Sequence, residues 1–255
     1  MFSTILYKYR NWNDCYHKRI LEQNKLWLSS PVGLNDPYDC QIPAIIDNQE
    51  INSYEFFHFL QESFMAEFPG KSLNDNDINE KWNEIKKNPQ HFFSQRQSQL
   101  LEMYLSFGVF SLCKNPDNFL LWSHYADAHK GLCIGFNIKD LVTHFNGTFE
   151  KVTYQRDLPV FKFLENQEET FSKTLATKHI QWDYEKEWRI TKINSADQEI
   201  DIPDTTIAEV YLGAKMDAYT KEKIMKILSK KTSPIKIFKM QLSKTLFKVE
   251  PVLIN

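Results

Sequence analysis

Residues 4–10, TILYKYR, alternate as a strand does, with Tyr7 and Tyr9 on one face and Lys8 on the other. Residues 14–23 carry helical spacing, and 25–28 read as a second short strand. Then comes SSPVGLNDPYDC, where Asn35-Asp36-Pro37 is turn chemistry; the alternative is that Asp36, Asp39 and the Asn35 amide are held rigidly beside a pocket. Between about 47 and 106 the pattern turns helical, with a break at Pro89, and predicts an insertion whose Phe57, Leu60, Phe64 stripe faces a core. Strand-like character returns at GVFSLC (108–113) and in LVTHF and FEKVTY, followed by a mixed helical stretch over 159–178. In HIQWDYEKEWRITK, Tyr184, Trp188 and Ile190 alternate against Glu185, Glu187 and Arg189. The tail reads AEVYLG strand, AYTKEKIMKIL helix, then IKIFKM and FKVEPVLI strands. The pattern predicts one α+β domain over 1–255, a central and mostly antiparallel sheet of short strands with a helical insertion.

Residues 120–136, LLWSHYADAHKGLCIGF, stand out from this background. Phe119, Leu120, Trp122, Ser123 and Ala126 fit a short helix capped by Asp117 or Asn118; Gly131 ends it, and LCIGF reads as a buried strand. Trp122, His124, Tyr125, His129 and Lys130 crowd that junction, more polar and cationic chemistry than a core segment needs. The bland alternative keeps Trp122 and Tyr125 in the core and His124 as a satisfied buried imidazole.

Composition narrows the classes. The net charge of -2 gives no global attraction to nucleic acid or anionic membrane, so any basic surface is local. Cys15, Cys40, Cys113 and Cys133 form no CxxC pair, which argues against a zinc knuckle or redox dithiol. MFSTILYKYR lacks the apolar run of a signal peptide, and no segment is long enough to span a bilayer. A cytoplasmic protein with no membrane partner is expected.

Glu185 and Glu187, two apart on a strand, would share a face about 6.6 Å apart at Cα. Such a pair splits its proton affinities, which suits acid–base or cation-stabilising work, and Arg189 on the same face would hold one ionised. The alternative is a solvated strand face. His124 and His129, five apart, would not converge on a helix, HExxH is absent, and no metal is expected. No GxSxG elbow or GxGxxG loop is present.

Four blocks, LYKYR, LSSPVGLNDPYDC, LLWSHYADAHKGLCIGF and WDYEKEWRI, stand in the order in which they resemble the bacterial family catalogued as domain of unknown function 2971, a name that implies no activity. More distantly the chain resembles ADP-ribosyltransferases, which place His or Arg on an early strand, Ser or Tyr on a second and Glu on a third. Glu185-Lys186-Glu187 is similar to that last element, with Glu187 in the catalytic position and Glu185 orienting the acceptor. Lys8 stands where the His-bearing branch has His, with Tyr9 beside it and Arg10 as the alternative anchor; Ser111 and Tyr125 are candidates for the middle element. That resemblance implies NAD as substrate, a nucleotide pocket completed by Asn35, Asp36, Trp122, His124, Tyr125, His129, Lys130 and Arg189, a protein or nucleic-acid acceptor, and a role in bacterial conflict or phage defence. Two other readings stay open: a non-catalytic nucleotide- or peptide-binding module, and a metal-dependent hydrolase or nuclease using Asp36, Asp39, Glu185 and His124.

Overall fold

The computed structural model describes residues 5–41, 45–46, 48–67, 75–162 and 164–254. In chain order the first elements are β1 (Ile5–Arg10), α1 (Cys15–Gln23), β2 (Lys25–Leu28), β3 (Ile45–Ile46), α2 (Tyr54–Glu67), α3 (Asp75–Lys87) and α4 (Pro89–Leu105). There follow β4 (Gly108–Cys113), α5 (Phe119–Tyr125), β5 (Leu132–Asn137), α6 (Ile138–Phe145), β6 (Thr148–Lys151), β7 (Thr153–Gln155), β8 (Val160–Phe161), α7 (Gln167–Leu175) and β9 (Thr177–His179). The last are β10 (Glu187–Lys192), β11 (Gln198–Asp201), β12 (Ile207–Leu212), α8 (Ala218–Leu228), β13 (Lys236–Leu242) and β14 (Val249–Leu253).

Eight strands form one sheet in the order β14-β13-β12-β5-β1-β4-β10-β6. Its neighbours are antiparallel except β12 and β13, which are parallel and joined through α8. This is the α+β architecture with a mostly antiparallel sheet that the pattern predicts. One face buries Leu6, Phe110, Ile134, Ile190 and Val210 beneath residues of α1, α6 and α8 such as Leu21, Leu141 and Ile224. The other buries Tyr9, Cys133, Tyr211 and Met240 with Leu121 and Trp122 of α5. Ile51, Phe56, Leu60, Ile78 and Ile85 make a separate cluster among α2, α3 and the turn before them.

Several local expectations change. LVTHF is the end of α6, not a strand: Asn137 caps its start, and Ile138, Leu141 and Phe145 recur at helical spacing along its buried side. FEKVTY is divided between β6 and β7, which belong to different sheets. Asn118 is the cap of α5, as the sequence allows, but the chain leaves that helix through left-handed Asp127, Ala128 and His129 before reaching Gly131. Gly131 is required for space, since a Cβ there would collide with the Arg10 carbonyl oxygen.

The sheet has one seam. β1 and β4 pair at Tyr7 opposite Cys113 alone, whereas β1 pairs with β5 along its full length. Beyond Cys113 the backbone of Val109 instead exchanges both hydrogen bonds with Ser29, at 2.8 and 3.1 Å. Lys8, Tyr9 and Arg10 therefore part from Ser111 and Leu112, and the 29–39 loop enters beside the opening.

Candidate functional site

A cavity of about 320 Å³ occupies this seam. Lys8, Tyr9 and Arg10 supply one wall, Ser111 and Cys113 another, and Asn35, Asp36 and Asp39 a third. Tyr125, Lys178, Trp182, Glu185 and Glu187 close it from the α5 and β10 side. A second cavity of about 500 Å³ shares Asn35, Asp36, Asp39, Lys178 and Trp182 with the first and continues past Gln155 and Asp157. Both volumes lie in the range of small-molecule sites.

The parted strands explain how side chains from opposite sheet faces meet here. Lys8 follows Leu6 on the face of Phe110, and its ammonium lies 5.1 Å from that ring. Glu187 pairs across from Cys113 on the other face. Neither Lys8 nor Arg10 has an ion-pair partner among the described residues, and Arg10 Nε is buried without a hydrogen bond. Burial and the mutual repulsion with Arg10 push the Lys8 ammonium well below its ordinary range, and burial lowers Arg10 to about 10. His17 donates Nδ1–H to the Asn11 carbonyl at 3.1 Å, because that oxygen can only accept. Burial and Arg10 lower His17 to about 4, so it is neutral at physiological pH.

Beneath the cavity lies a buried charge network. Arg189, fully inaccessible, donates Nε–H to Glu187 Oε1 at 2.8 Å and Nη2–H to Glu187 Oε2 at 3.1 Å. It also reaches Asp39 at 2.6 and 2.9 Å and the Leu175 carbonyl at 2.7 Å. Lys178 Nζ donates to Glu185 at 2.7 Å and Glu187 at 3.2 Å, and lies 3.3 Å from Asp39. The Tyr125 hydroxyl donates to Glu185 Oε1 at 2.9 Å.

The two glutamates diverge chemically. Burial would raise Glu187, but Arg189 and Lys178 outweigh it and hold that carboxyl well below the usual range. Glu185 is raised, first by burial and then by the charge of Glu187, with Lys178 opposing. Glu187 accepts from both Arg189 and Lys178, whereas among the described residues Glu185 accepts from Lys178 and Tyr125 and keeps acceptor capacity. The Glu187 shift has a sign. Folded Glu187 binds its proton more weakly than the unfolded chain, so its stabilisation is complete above the unfolded value of about 4.3 and is lost as pH falls below it. Thermal midpoints recorded against pH should fall on that acid limb, and Glu187→Gln should flatten it.

The structure gathers the sequence candidates unevenly. Lys8, Tyr9, Arg10, Asn35, Asp36, Tyr125, Glu185 and Glu187 line the cavity; Trp122, His124, His129, Lys130 and Arg189 do not. Trp122 is core, its indole N–H donating to the Pro116 carbonyl at 2.8 Å and its ring set edge-on to Tyr9. His129 is buried against that indole, with Nε2 3.0 Å from the Ser123 hydroxyl. His124 and Lys130 face solvent. The expected strand placement of Glu185 is corrected: it ends a 3₁₀ turn over Ile180–Glu185, and left-handed Lys186 separates it from β10. Shared contact with Lys178, not strand geometry, brings the two carboxylates together. Trp188 stacks on Phe149 at 5.0 Å, away from the cavity. Asp36 satisfies both readings of its loop, accepting the Tyr38 amide at 2.9 Å while lining the cavity. Among the described residues no group of three His, Cys, Asp or Glu could hold a metal ion. Of the three acids in the metal reading, Asp39 and Glu185 are already paired with Arg189 and Lys178, and Asp36 accepts the Tyr38 amide.

Lys178, His17 and Ser29 escaped the sequence reading. TLATKHI carries no motif, so nothing local marks Lys178 as the junction of three carboxylates. Asp39 was visible as an acid in NDPYDC, but its burial depends on Arg189, 150 residues away.

Fold and site together define an α+β protein with a charged cavity at a seam in its sheet. Residues 121–190 match the model of a family described as protein of unknown function (DUF2971). This match runs from α5 into β10 and contains most of the 120–136 stretch and YEKEWRI; the blocks at 6–10 and 28–40 lie outside it. No curated protein and no solved structure matches the chain. No helix among the described residues is long and apolar enough to cross a membrane.

Proposed function

We propose that the seam cavity binds a phosphate-bearing nucleotide, with NAD as the leading ligand, and transfers its ADP-ribosyl group. The observation that carries this reading is the pair Lys8 and Arg10, two desolvated cations without ion-pair partners at the wall of a cavity whose opposite wall carries Glu185. Lys8 and Arg10 are half-buried, and unpaired cations partly withdrawn from water are costly unless a ligand anion completes them, as a pyrophosphate does. The row β1, β4, β10 also sets Arg10, Ser111 and Glu187 on neighbouring strands, the order of elements that the ADP-ribosyltransferase resemblance implies. Two adjoining cavities suit the two halves of a dinucleotide or a donor and an acceptor.

Glu185 has the acceptor capacity for the reacting sugar, so the roles implied by the resemblance exchange: Glu187 is the fixed charge and Glu185 the working carboxylate. The bond between the ribose C1′ and the nicotinamide nitrogen breaks, its electron pair leaving on nicotinamide. Glu185, ionised beside the Lys178 ammonium, stabilises the developing cation at C1′, and the acceptor nucleophile attacks there and releases its proton to water.

Calorimetric titration with NAD tests the reading. Wild type should bind, and Lys8→Ala and Arg10→Ala should each weaken binding by about ten- to a hundredfold, the value of a charged hydrogen bond. Unchanged affinity in both variants, or no binding of NAD and ADP by wild type, would end the proposal.

A further inference from the structure

Residues 215–250 carry ten lysines against Asp217, Glu222 and Glu250, the last in an exposed pair with Lys248 at 2.7 Å, in a chain whose net charge is -2. Lys231, held by Asp204 and Asn24, and Lys236, which opens β13, lie at the far end of the sheet, whereas Lys215, Lys221, Lys244 and Lys248 lie at the end that carries an exposed apolar tip. The β13–β14 hairpin turns through residues 243–248, SKTLFK, where Leu246 is 61% and Phe247 fully exposed. The turn is held by its own backbone, Ser243 N–H donating to the Lys248 carbonyl at 3.0 Å and Lys248 N–H to the Leu246 carbonyl at 2.9 Å. Leu242 and Leu253, near the tip and along its outer strand, are more than half exposed as well.

Sheet register fixes where this tip points. Arg10, Leu132, Leu212 and Lys239 lie in one row across β1, β5, β12 and β13. Leu242 lies three residues further along β13, so the tip stands roughly 10 Å beyond that row. It projects from the end of the sheet at which the β12–α8 connection presents Lys215 and the first turn of α8 carries Lys221, a connection tied to β13 by Lys239 Nζ donating to the Gly213 carbonyl.

The outer edge of β14 is unsuited to strand addition by a second copy. Ile254 N–H donates inward to Ile237, so amides two apart from it also point inward and Pro251 takes an outward position with no N–H to offer. Such a proline blunts an edge. Nucleic acid fits less well, because stacking needs aromatic platforms, the residues of the tip are aliphatic apart from Phe247, and the exposed Tyr219 of α8 already carries Lys223 over its ring at 4.3 Å.

We infer that the 243–248 hairpin tip docks on the surface of an anionic lipid bilayer, Leu246 and Phe247 entering the acyl boundary while Lys215, Lys221, Lys244 and Lys248 meet lipid phosphates. Lysines flanking a short apolar tip combine the two attractions that hold a protein on an anionic leaflet. Lying on a bilayer needs no spanning helix, so the expectation of no membrane partner, which rested on spanning segments and overall charge, does not extend to this hairpin.

Co-sedimentation of the full chain with phosphatidylserine-rich and pure phosphatidylcholine vesicles decides the matter. Wild type should bind the anionic vesicles more tightly, and added salt should weaken that binding. Leu246→Ser/Phe247→Ser should weaken binding at least tenfold, and Lys244→Gln/Lys248→Gln should lose about fivefold per lysine on anionic vesicles only. Both pairs are exposed, and circular dichroism melts should match wild type. As a second readout, Phe247→Trp should shift its emission to the blue on anionic vesicles. No anionic-vesicle binding at low salt, or binding indifferent to the serine pair, would overturn the inference. So would an RNA oligomer that outcompetes vesicles for the same lysines.

Discussion

Arg189→Leu should lower folding stability by about 3–5 kcal/mol, the cost of removing one partner from a buried ion pair. The reason lies in what stays behind. Glu187 and Asp39 remain in a dry interior with Lys178 as their shared cation, and Leu175 loses a donor to its carbonyl. Domains of ordinary stability have about 5–15 kcal/mol in all, so the loss threatens the native state. Arg189→Lys should recover little, because an ammonium cannot span the fork from Glu187 to Asp39. Arg189→Leu combined with Glu187→Gln and Asp39→Asn should recover a large part, since the charges left uncompensated are gone. Urea midpoints across this series provide the measurement. A loss under about 1 kcal/mol for the single variant would mean water reaches the network and screens it.

Glu185→Gln should reduce NAD turnover by about 10²–10³-fold while leaving NAD affinity near that of wild type. Glutamine keeps the shape and the bond from Tyr125 but cannot balance a cation developing at the ribose. Glu187→Gln should act differently, with loss of stability preceding any loss of rate, because Arg189 and Lys178 both lose charge compensation. Nicotinamide release followed chromatographically separates the two variants. Wild-type binding without nicotinamide release, with Glu185→Gln indistinguishable from it, would leave a nucleotide-binding module in which the carboxylates only support the pocket wall.

The α+β class is legible because alternation in 5–10, the apolar strand-like run at 108–113 and helical spacing in 54–67 are local properties. Mistakes arose where two periods fit one short run. LVTHF alternates well enough for a strand until Asn137 and Ile138 are counted with it as a cap and first turn. At the site, Lys8, Arg10 and Asn35 to Asp36 were visible as unusual chemistry on a strand and in a loop, and the seam places them together. Trp122 and His129 misled because an aromatic cluster looks alike whether it faces a ligand or Tyr9. Lys178 carries no signal of its own, since its meaning comes from the distant Asp39 and from a 3₁₀ turn that brings Glu185 and Glu187, seven and nine residues on, back to it.

The place of β1 in the sheet bears on how the chain reaches its native state. This strand is made early, yet it lies between β5 and β4, and its first pairing joins Ile5 to Asn137. Before β5 is made, β1 has only its single Tyr7–Cys113 contact with β4 to form, whereas α2 and α3 can collapse on Ile51, Phe56 and Ile78 as they emerge. Closing such distant ends is entropically slow, so insertion of β1 belongs late in folding. Among the described residues the seam lies between β1 and β4, and the cavity is therefore assembled at that same late step: a chain arrested before it would hold most of its helices and no seam cavity.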